Sequence, residues 1–119
     1  MANVRILIVE DSDEMRRMIR ILLRDLASRV DECTDGAAAV GAYHEYHPDW
    51  VLMDIELEQM DGITATRQIT TADPGAKVVI VTSYDEPELH EAARKAGACA
   101  YVLKTNLLKL IPLLESSGL

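Results

Sequence analysis

Short apolar runs alternate along the chain with longer segments in which apolar residues recur at helical spacing. The runs at residues 6–9, 50–53, 78–81 and 100–103 are almost continuously apolar, and a weaker run covers 29–34. Unbroken apolar runs of this length are typical of strands buried on both faces, as in a parallel sheet. The pattern therefore predicts five strands, each followed by a helix.

The first predicted helix begins after Ser12, a favourable N-cap residue. The second covers about 37–46, the third runs from just after Asp61-Gly62 to about Thr71, and the last two cover about 86–96 and 106–115. The apolar stripe predicted for the first helix consists of Met15, Met18, Ile19, Leu22 and Leu26. In the last helix, Leu107, Leu110, Ile111 and Leu114 share the face expected to meet the core, whereas Leu108 and Leu113 lie off that face. Pro112 removes a backbone hydrogen bond and is expected to bend this helix.

Alternation of strands and helices specifies the fold class. Parallel strands need crossover connections, and because these are right-handed the helices must lie on both faces of the sheet. We therefore predict an α/β fold, a doubly wound five-stranded parallel sheet with five helices in a three-layer sandwich. The 119 residues contain no repeat and no linker, so 1–119 is predicted to be one domain.

Composition excludes several classes of function. A net charge of −8 argues against direct nucleic-acid binding, because an acidic surface repels the phosphate backbone. No apolar stretch is long enough to span a membrane or to form a signal peptide. Cys33 and Cys99 match neither a disulfide framework nor a zinc motif. We therefore expect a cytoplasmic protein with two reduced thiols and no membrane association.

Polar residues follow four of the five predicted strands. Glu10 and Asp11 follow the first strand, Asp54 the third, Thr82 the fourth and Lys104 the fifth. Taken singly, each is more simply a helix cap, a loop acid, a strand end or a solvated charge. The carboxyl ends of parallel strands, however, meet at one edge of the sheet, where ligands bind such folds. The sequence thus predicts a cleft that holds three carboxylates, a hydroxyl and an ammonium group.

Electrostatics suggests what this cleft binds. Two carboxylates about 5 Å apart repel by roughly 3 kcal/mol at an effective dielectric constant near 20. Three of them therefore need a divalent cation or must take up protons. Ligands that are all oxygen indicate Mg²⁺, with Mn²⁺ or Ca²⁺ as alternatives. Together with Lys104 and Thr82, such a cation can stabilise the oxygens of a phosphoryl group attacked by Asp54.

Over essentially its whole length the sequence resembles the receiver domains of two-component response regulators, including chemotaxis regulators. The matching motifs are Ile6-Leu7-Ile8-Val9-Glu10-Asp11, Val51-Leu52-Met53-Asp54, Met60-Asp61-Gly62, Val81-Thr82-Ser83 and Tyr101-Val102-Leu103-Lys104. The resemblance implies a flavodoxin-like strand order of 2-1-3-4-5. It also implies a signalling module that is not an enzyme beyond phosphoryl transfer to Asp54 and autodephosphorylation.

The resemblance implies roles for the acidic residues. Asp54 would accept phosphate from a sensor histidine kinase or a phosphotransfer protein. Mg²⁺ would be held by Asp11, Asp54 and the backbone carbonyl of Glu56. Glu10 would act mainly through metal-bound water.

The resemblance also implies roles for the other residues at the cleft. Thr82 and Lys104 would bind the phosphoryl group, and Tyr101 would be the switch aromatic residue that turns inward when Thr82 moves. Glu56 and Tyr84, at the mouth, would tune the lifetime of the phosphate. An acidic Glu56 adds repulsion whereas a bulky Tyr84 shields the phosphorus from water, so only a combined effect on hydrolysis is predicted.

Two positions depart from the family pattern. Glu58 stands where many members have proline. Thr105 follows Lys104 where many members have proline after a cis peptide bond. A cis bond before any other residue costs about 2.5–4 kcal/mol, so we expect the Lys104–Thr105 bond to be trans.

In this family the output surface is usually the fourth helix, the fifth strand and the fifth helix. We expect phosphorylation to change that surface and so to control an output partner or a homodimer formed through helices 4 and 5. Leu108 and Leu113 are candidates for this interface, although scattered apolar surface residues are also normal. His44, His47 and His90 are expected to be ordinary surface residues. The domain is either a complete regulator or the N-terminal part of a longer one.

Two other functions stay open. The first is a small metal-dependent phosphohydrolase that works through an aspartyl-phosphate on Asp54, with Glu56 as a second acid. Against it, the chain has no insertion long enough to enclose a substrate. The second is a degenerate receiver used as a constitutive scaffold, which the intact set of polar residues at the strand ends argues against.

Overall fold

Five parallel strands in the order β2-β1-β3-β4-β5 form the central sheet. The structure, a computed structural model, describes residues 4–116. In chain order the elements are β1 (Val4–Val9), α1 (Asp13–Leu22), β2 (Ala27–Cys33), α2 (Gly36–Tyr46), β3 (Trp50–Met53), α3 (Gly62–Ala72), β4 (Val78–Thr82), α4 (Pro87–Lys95), β5 (Ala100–Leu103), a 3-10 segment (Lys104–Lys109) and α5 (Leu110–Glu115). The predicted doubly wound, flavodoxin-like fold is confirmed.

Two hydrophobic cores lie on opposite faces of the sheet, because successive strand side chains point to opposite faces. Helices α2, α3 and α4 cover the first core, and α1 and α5 cover the second. Strand residues of the first core include Leu7, Val9, Val51, Met53, Val78 and Ile80; those of the second include Ile6, Ile8, Leu52, Val79, Val81 and Val102. The molecule therefore has the three predicted layers.

Helix α1 begins as predicted, and its apolar stripe packs on the second core with one exception. The Ser12 hydroxyl accepts a hydrogen bond from the Met15 backbone N–H and caps the helix. The helix ends at Leu22, and the predicted stripe residue Met18 is 48% exposed. The predicted residue Ile19 is buried, and Met15, Leu22 and Leu26 pack partly buried against the same core. Leu23, four residues after Ile19, is also buried and was not predicted. One turn of the helix thus separates the buried residues and leaves Met18 at the edge of the stripe.

The first two strands are longer than predicted. Both β1 and β2 begin two residues before their predicted starts, at Val4 and Ala27. β2 lies at the edge of the sheet, and its early residues Ser28 and Arg29 are exposed. Polar residues on an edge strand interrupt the apolar pattern from which strands are predicted.

The segment after β5 differs from the predicted helix over 106–115. Its first part is a 3-10 segment with non-helical torsion angles at Asn106, and the α-helix begins only at Leu110. Pro112 therefore lies in the first turn of α5, where a missing backbone N–H costs little. The irregularity therefore lies at Asn106 and not at Pro112, where the bend was predicted. The prediction that Leu113 lies off the core face was wrong, because Leu113 packs against the second core. Leu108 is 68% exposed.

Two smaller expectations are settled in the described part of the chain. Residues 4–116 contain no cis peptide bond, so Lys104–Thr105 is trans as expected. None of the helices within that range is long and apolar enough to cross a bilayer.

Candidate functional site

The carboxyl ends of β1, β3 and β5 bring three of the predicted residues together. Val9 pairs with Met53 in the sheet, so the next residues of the two strands, Glu10 and Asp54, lie side by side. The Asp54 backbone N–H donates to the Val9 carbonyl at 3.0 Å and extends the ladder to the site. Lys104 follows β5 and reaches the same edge from two strands away.

Lys104 connects two buried carboxylates. Its Nζ donates to Asp54 Oδ2 at 3.1 Å and lies 2.9 Å from Glu10 Oε1. Glu10 is only 2% exposed and Asp54 only 5% exposed. Ion pairs removed from water in this way interact more strongly than surface pairs.

Asp11 completes an acidic cluster. It is exposed, and one carboxylate oxygen from each of Glu10, Asp11 and Asp54 lies within 4.8 Å of the others. With all groups ionised, these three carboxylates and the single ammonium of Lys104 sum to a charge of −2. A divalent cation matches that charge, and a donor set made only of oxygen suits a hard cation.

The environment shifts the pKa of both charged partners. Burial raises the pKa of Glu10 above its usual 4.5, and the hydrogen bond from Lys104 only partly opposes this rise. The negative charge of Asp54 raises the pKa further. For Lys104, burial alone would favour the neutral amine, but the hydrogen bond with Glu10 and the charge of Asp54 outweigh it and raise the pKa above 10.5. Lys104 is therefore a cation at neutral pH.

Backbone groups fix the position of Asp54. Its Oδ1 accepts a hydrogen bond from the Ile55 N–H at 2.7 Å, which orients the carboxylate and leaves Oδ2 on the Lys104 side. Gly62 opens α3 directly beneath this loop, and its N–H donates to the Ile55 carbonyl at 2.9 Å. A Cβ on Gly62 would lie 1.7 Å from the Asp54 carbonyl oxygen, so only glycine permits this close approach.

Arg16 is a functional contact that the sequence analysis missed. Its Nη1 donates to the Glu10 carbonyl at 2.6 Å, and its Nε donates to Glu32 on β2 at 2.9 Å. The arginine therefore ties the loop after β1 to the edge strand. No sequence signal distinguishes Arg16 from its neighbours Arg17 and Arg20, because all three lie on the polar side of α1.

Thr82 and Tyr101 are linked through the loop after β4. Thr82 is fully buried, and its Oγ1 accepts a hydrogen bond from the Tyr84 N–H at 3.3 Å. The Tyr101 hydroxyl donates to the Tyr84 carbonyl at 2.7 Å, rather than to water. Within residues 4–116, the Thr82 hydroxyl has no hydrogen bond to Asp54. The structure thus connects Thr82 to Tyr101 but does not bring Thr82 onto the carboxylate.

Glu56 and Tyr84 meet at the mouth of the site. A hydrogen bond with the Glu56 carboxylate, and then partial burial, raises the pKa of the Tyr84 hydroxyl. Glu56 also lines the open cavity of about 430 Å³ above the acidic cluster, whose walls are Glu10, Asp11, Ser12, Asp54, Glu56, Leu57, Glu58 and Lys104. The two predicted lifetime residues are therefore in contact with each other.

His44, His47 and His90 are all exposed, as predicted, but His90 also makes a ring contact. Its ring stacks on that of Tyr101 with a centroid separation of 3.7 Å. The sequence analysis missed this contact because it depends on how α4 is rotated against β5.

Residues 6–113 match the family model described as the response regulator receiver domain. The chain is 41% identical over 100 residues to the chemotaxis protein CheY of Halobacterium salinarum, which covers 84% of this chain and 83% of that protein. It is 40% identical over 101 residues to CheY of Bacillus subtilis, covering 84% of each.

Solved structures agree with the sequence comparison. A two-component response regulator of the LuxR family from Aurantimonas sp. SI85-9A1 superposes with a TM-score of 0.88 and 31% identity, covering 97% of this chain and 84% of that one. CheY in the CheX-CheY-BeF3-Mg²⁺ complex of Borrelia burgdorferi has a TM-score of 0.84 and 26% identity, covering 96% and 88%. The chain therefore belongs to the receiver-domain family of two-component response regulators.

Proposed function

We propose that this domain accepts a phosphoryl group on Asp54 from a sensor histidine kinase or a phosphotransfer protein, and that phosphorylation changes its α4-β5-α5 surface. The observation that carries the proposal is the contact of Lys104 with Asp54 Oδ2 inside a cluster of three carboxylates at the strand edge. This arrangement pairs a nucleophilic oxygen with a fixed positive charge.

The residues support phosphoryl transfer by positioning and charge. A carboxylate oxygen of Asp54 forms a bond to phosphorus while the bond from phosphorus to the donor atom breaks, and the electron pair of that bond leaves with the donor. Lys104 is poised to move from the carboxylates to a phosphoryl oxygen. Thr82 keeps its hydroxyl proton free for a second oxygen, because its Oγ1 acts as an acceptor toward Tyr84.

Mg²⁺ fits the acidic cluster, with Mn²⁺ or Ca²⁺ as alternatives. Glu10, Asp11 and Asp54 would hold it, together with the backbone carbonyl of Glu56. When bound, the cation supplies positive charge to the phosphoryl oxygens. A related CheY has been solved with Mg²⁺ and BeF3.

Intact mass spectrometry after incubation with acetyl phosphate and Mg²⁺ tests this function. The wild-type domain is expected to gain one phosphoryl group, and Asp54→Asn is expected to gain none. Asp49→Asn is the matched control, since Asp49 immediately precedes β3 and therefore lies at the opposite end of that strand from Asp54. Absence of the adduct in wild type contradicts the proposal, and so does rapid turnover of many small phosphomonoesters, which would identify a phosphohydrolase instead.

Glu56 and Tyr84 are proposed to set the lifetime of the phosphate. Because the Glu56 carboxylate acts on the Tyr84 hydroxyl and raises its pKa, their effects on hydrolysis should be coupled rather than additive. The half-life of phosphorylated protein is measured for Glu56→Ala, Tyr84→Ala and the double variant. A half-life unchanged in the double variant would contradict this role.

Leu108 is proposed to contribute to a homodimer or an output interface. It is 68% exposed in the segment between β5 and α5. Leu113, the other interface candidate from the sequence, packs against the core. Light scattering on Leu108→Glu, with and without acetyl phosphate, measures association. Ile21→Glu on α1, where Ile21 is 57% exposed, is the control for adding a surface charge. Association that is equal in wild type and Leu108→Glu excludes Leu108 from an interface.

A cytoplasmic location and a single domain over 1–119 are part of the proposal. Cys33 and Cys99 are both free thiols, which fits a reducing compartment. Beyond transfer to Asp54 and its own dephosphorylation, we propose no enzymatic activity.

A further inference from the structure

Four residues form a closed ring of contacts between the loop after β4, helix α4 and strand β5. His90 Nε2 lies 2.7 Å from Asp85 Oδ1, and the His90 ring stacks on the Tyr101 ring at 3.7 Å with an interplanar angle of 23°. The Tyr101 hydroxyl donates to the carbonyl of Tyr84 at 2.7 Å. Tyr84 is bonded in sequence to Asp85, which closes the ring. We call these four residues the α4-β5 clasp.

The clasp is connected to the proposed phosphorylation site. The same Tyr84 whose carbonyl binds Tyr101 donates its N–H to Thr82 Oγ1 at 3.3 Å. The hydroxyls of Thr82 and Tyr101 are therefore linked through the backbone of a single residue, Tyr84. The two hydrogen bonds hold Tyr84 by its N–H and by its carbonyl, so one residue links Thr82 to Tyr101.

His90 adds a surface contact between α4 and β5, with its side chain 43% exposed. The fully buried residues of α4 and its C-cap are the alanines Ala93 and Ala96, and Leu89 and Ala92 pack partly buried against the first core. The imidazole of His90 instead covers the face of the Tyr101 ring, and Asp85 fixes the orientation of that imidazole. His90 therefore joins α4 to Tyr101 outside the buried core.

We propose that His90 is a positioning residue for Tyr101. By stacking on the ring, it stabilises the conformation in which the Tyr101 hydroxyl binds the Tyr84 carbonyl, and this conformation leaves the Thr82 proton free for a phosphoryl oxygen. The coupling to phosphorylation rests on the proposed function of Asp54. The positioning of Tyr101 does not, since it is a property of the unphosphorylated domain.

The first test uses the free protein. NMR of the aromatic protons of Tyr101 reports the ring current of a stacked neighbour. We expect His90→Ala to move the Tyr101 ring signals toward those of an unstacked tyrosine, and His90→Phe, which keeps a planar ring, to retain most of the shift. Lys95→Ala, an exposed substitution on the same helix, is the control and should leave the signals in place. Identical Tyr101 spectra in wild type and His90→Ala overturn the proposal.

The second test measures coupling to the site with beryllofluoride and Mg²⁺ as the phosphoryl mimic. His90→Ala is expected to weaken beryllofluoride binding by about two- to tenfold, the factor that one aromatic stack supplies. His90→Phe and Lys95→Ala should bind as wild type does. Equal affinity of His90→Ala and wild type overturns the coupling, as does His90→Phe behaving like His90→Ala. If wild type binds no beryllofluoride, the proposed function of Asp54 fails, and the spectrum of the free protein still decides the positioning role of His90.

Discussion

Lys104 compensates the concentration of negative charge at the end of the sheet. It contacts the buried carboxylates of Glu10 and Asp54, and both partners help to raise its pKa. The ion pairs are 16% exposed on the lysine side and almost fully buried on the carboxylate side. Removing the cation therefore leaves two carboxylates facing each other with little water to separate them.

Replacing Lys104 by glutamine is expected to lower the free energy of unfolding by about 1–3 kcal/mol, because a buried charge loses its partner. Urea unfolding in the presence of EDTA measures the loss. Mg²⁺ should restore part of it, since the cation takes over the compensating charge. Lys109→Gln, an exposed substitution, is the control. A Lys104→Gln variant as stable as wild type in EDTA would show that the ion pairs contribute nothing.

The sequence indicated some residues of the site and not others, for a physical reason. Glu10, Asp54 and Lys104 follow strands, and the parallel topology alone brings strand ends together. The contacts of Arg16 and His90 depend instead on the rotation of α1 and α4 about their axes, and each helix has several polar positions with the same spacing. Such contacts are decided by packing, which an apolar pattern predicts only approximately.

At the scale of elements, α4 ends where the backbone must turn sharply. Gly97 has φ +102°, and a Cβ there would lie 2.5 Å from Thr70 Oγ1 on α3. Thr70 in turn donates to the Ala96 carbonyl at 2.6 Å. Gly97, which directly follows the helix predicted over 86–96, is therefore also the point where α3 holds the end of α4.

Gly97→Ala is expected to destabilise the domain by about 1–3 kcal/mol, because a side chain at positive φ is strained and collides with Thr70. Gly41→Ala is the matched control. Gly41 lies within α2 with no atom near its added Cβ, so the alanine should stabilise by about 0.5–1 kcal/mol through its higher helix propensity. Thermal and urea unfolding measure both. Equal effects of the two substitutions would contradict this account of α4.

A second link between elements joins α2 to the end of α3. The Tyr43 hydroxyl donates to Asp73 Oδ2 at 2.5 Å, and this hydrogen bond lowers the pKa of Asp73 below its usual 3.8. A carboxyl whose pKa is lowered by folding stabilises the fold above its unfolded pKa, and this contribution disappears as the pH falls through the folded pKa.

Tyr43→Phe is therefore expected to be less stable than wild type at neutral pH, and the difference should shrink as the pH falls below 3.8. Urea midpoints across this range measure it. Tyr46→Phe is the control, because the described structure gives the Tyr46 hydroxyl no hydrogen bond. A difference between Tyr43→Phe and wild type that is constant with pH would exclude Asp73 as its source.

The segment after β5 shows where element prediction fails. Leucine spacing over 106–115 indicated one continuous helix, but the chain forms a 3-10 segment up to Lys109 before α5 begins. Pro112 excludes a regular α-helical bond to Leu108, so the chain places it in a first turn, where no such bond is needed. The spacing of apolar residues does not distinguish these two conformations.

At the scale of the whole molecule, the fold gathers part of the excess negative charge at the site. The chain carries a net charge of −8, and three of its carboxylates converge at the site with a single cation. The family fold supplies the sheet edge at which they meet, and the two cores hold that edge rigidly. Binding of a divalent cation should thus stabilise the whole domain rather than one loop.

Mg²⁺ is expected to raise the free energy of unfolding, and with it the melting temperature, by about 2.7 kcal/mol at a free concentration one hundred times the dissociation constant. Asp11→Asn should reduce the shift, because it removes one ligand of the cluster. Asp13→Asn is the control, since Asp13 lies two residues later on α1 outside the cluster. Equal shifts in wild type and Asp11→Asn would place the cation elsewhere.

The most direct measurement asks where the phosphoryl group is attached. After incubation with acetyl phosphate and Mg²⁺, borohydride reduces an aspartyl phosphate to homoserine, which peptide fragmentation can locate. The account predicts homoserine at position 54, dependent on acetyl phosphate, and at no other carboxylate. Homoserine at Asp11 or at another acid, or its absence throughout the chain, would contradict Asp54 as the phosphate acceptor.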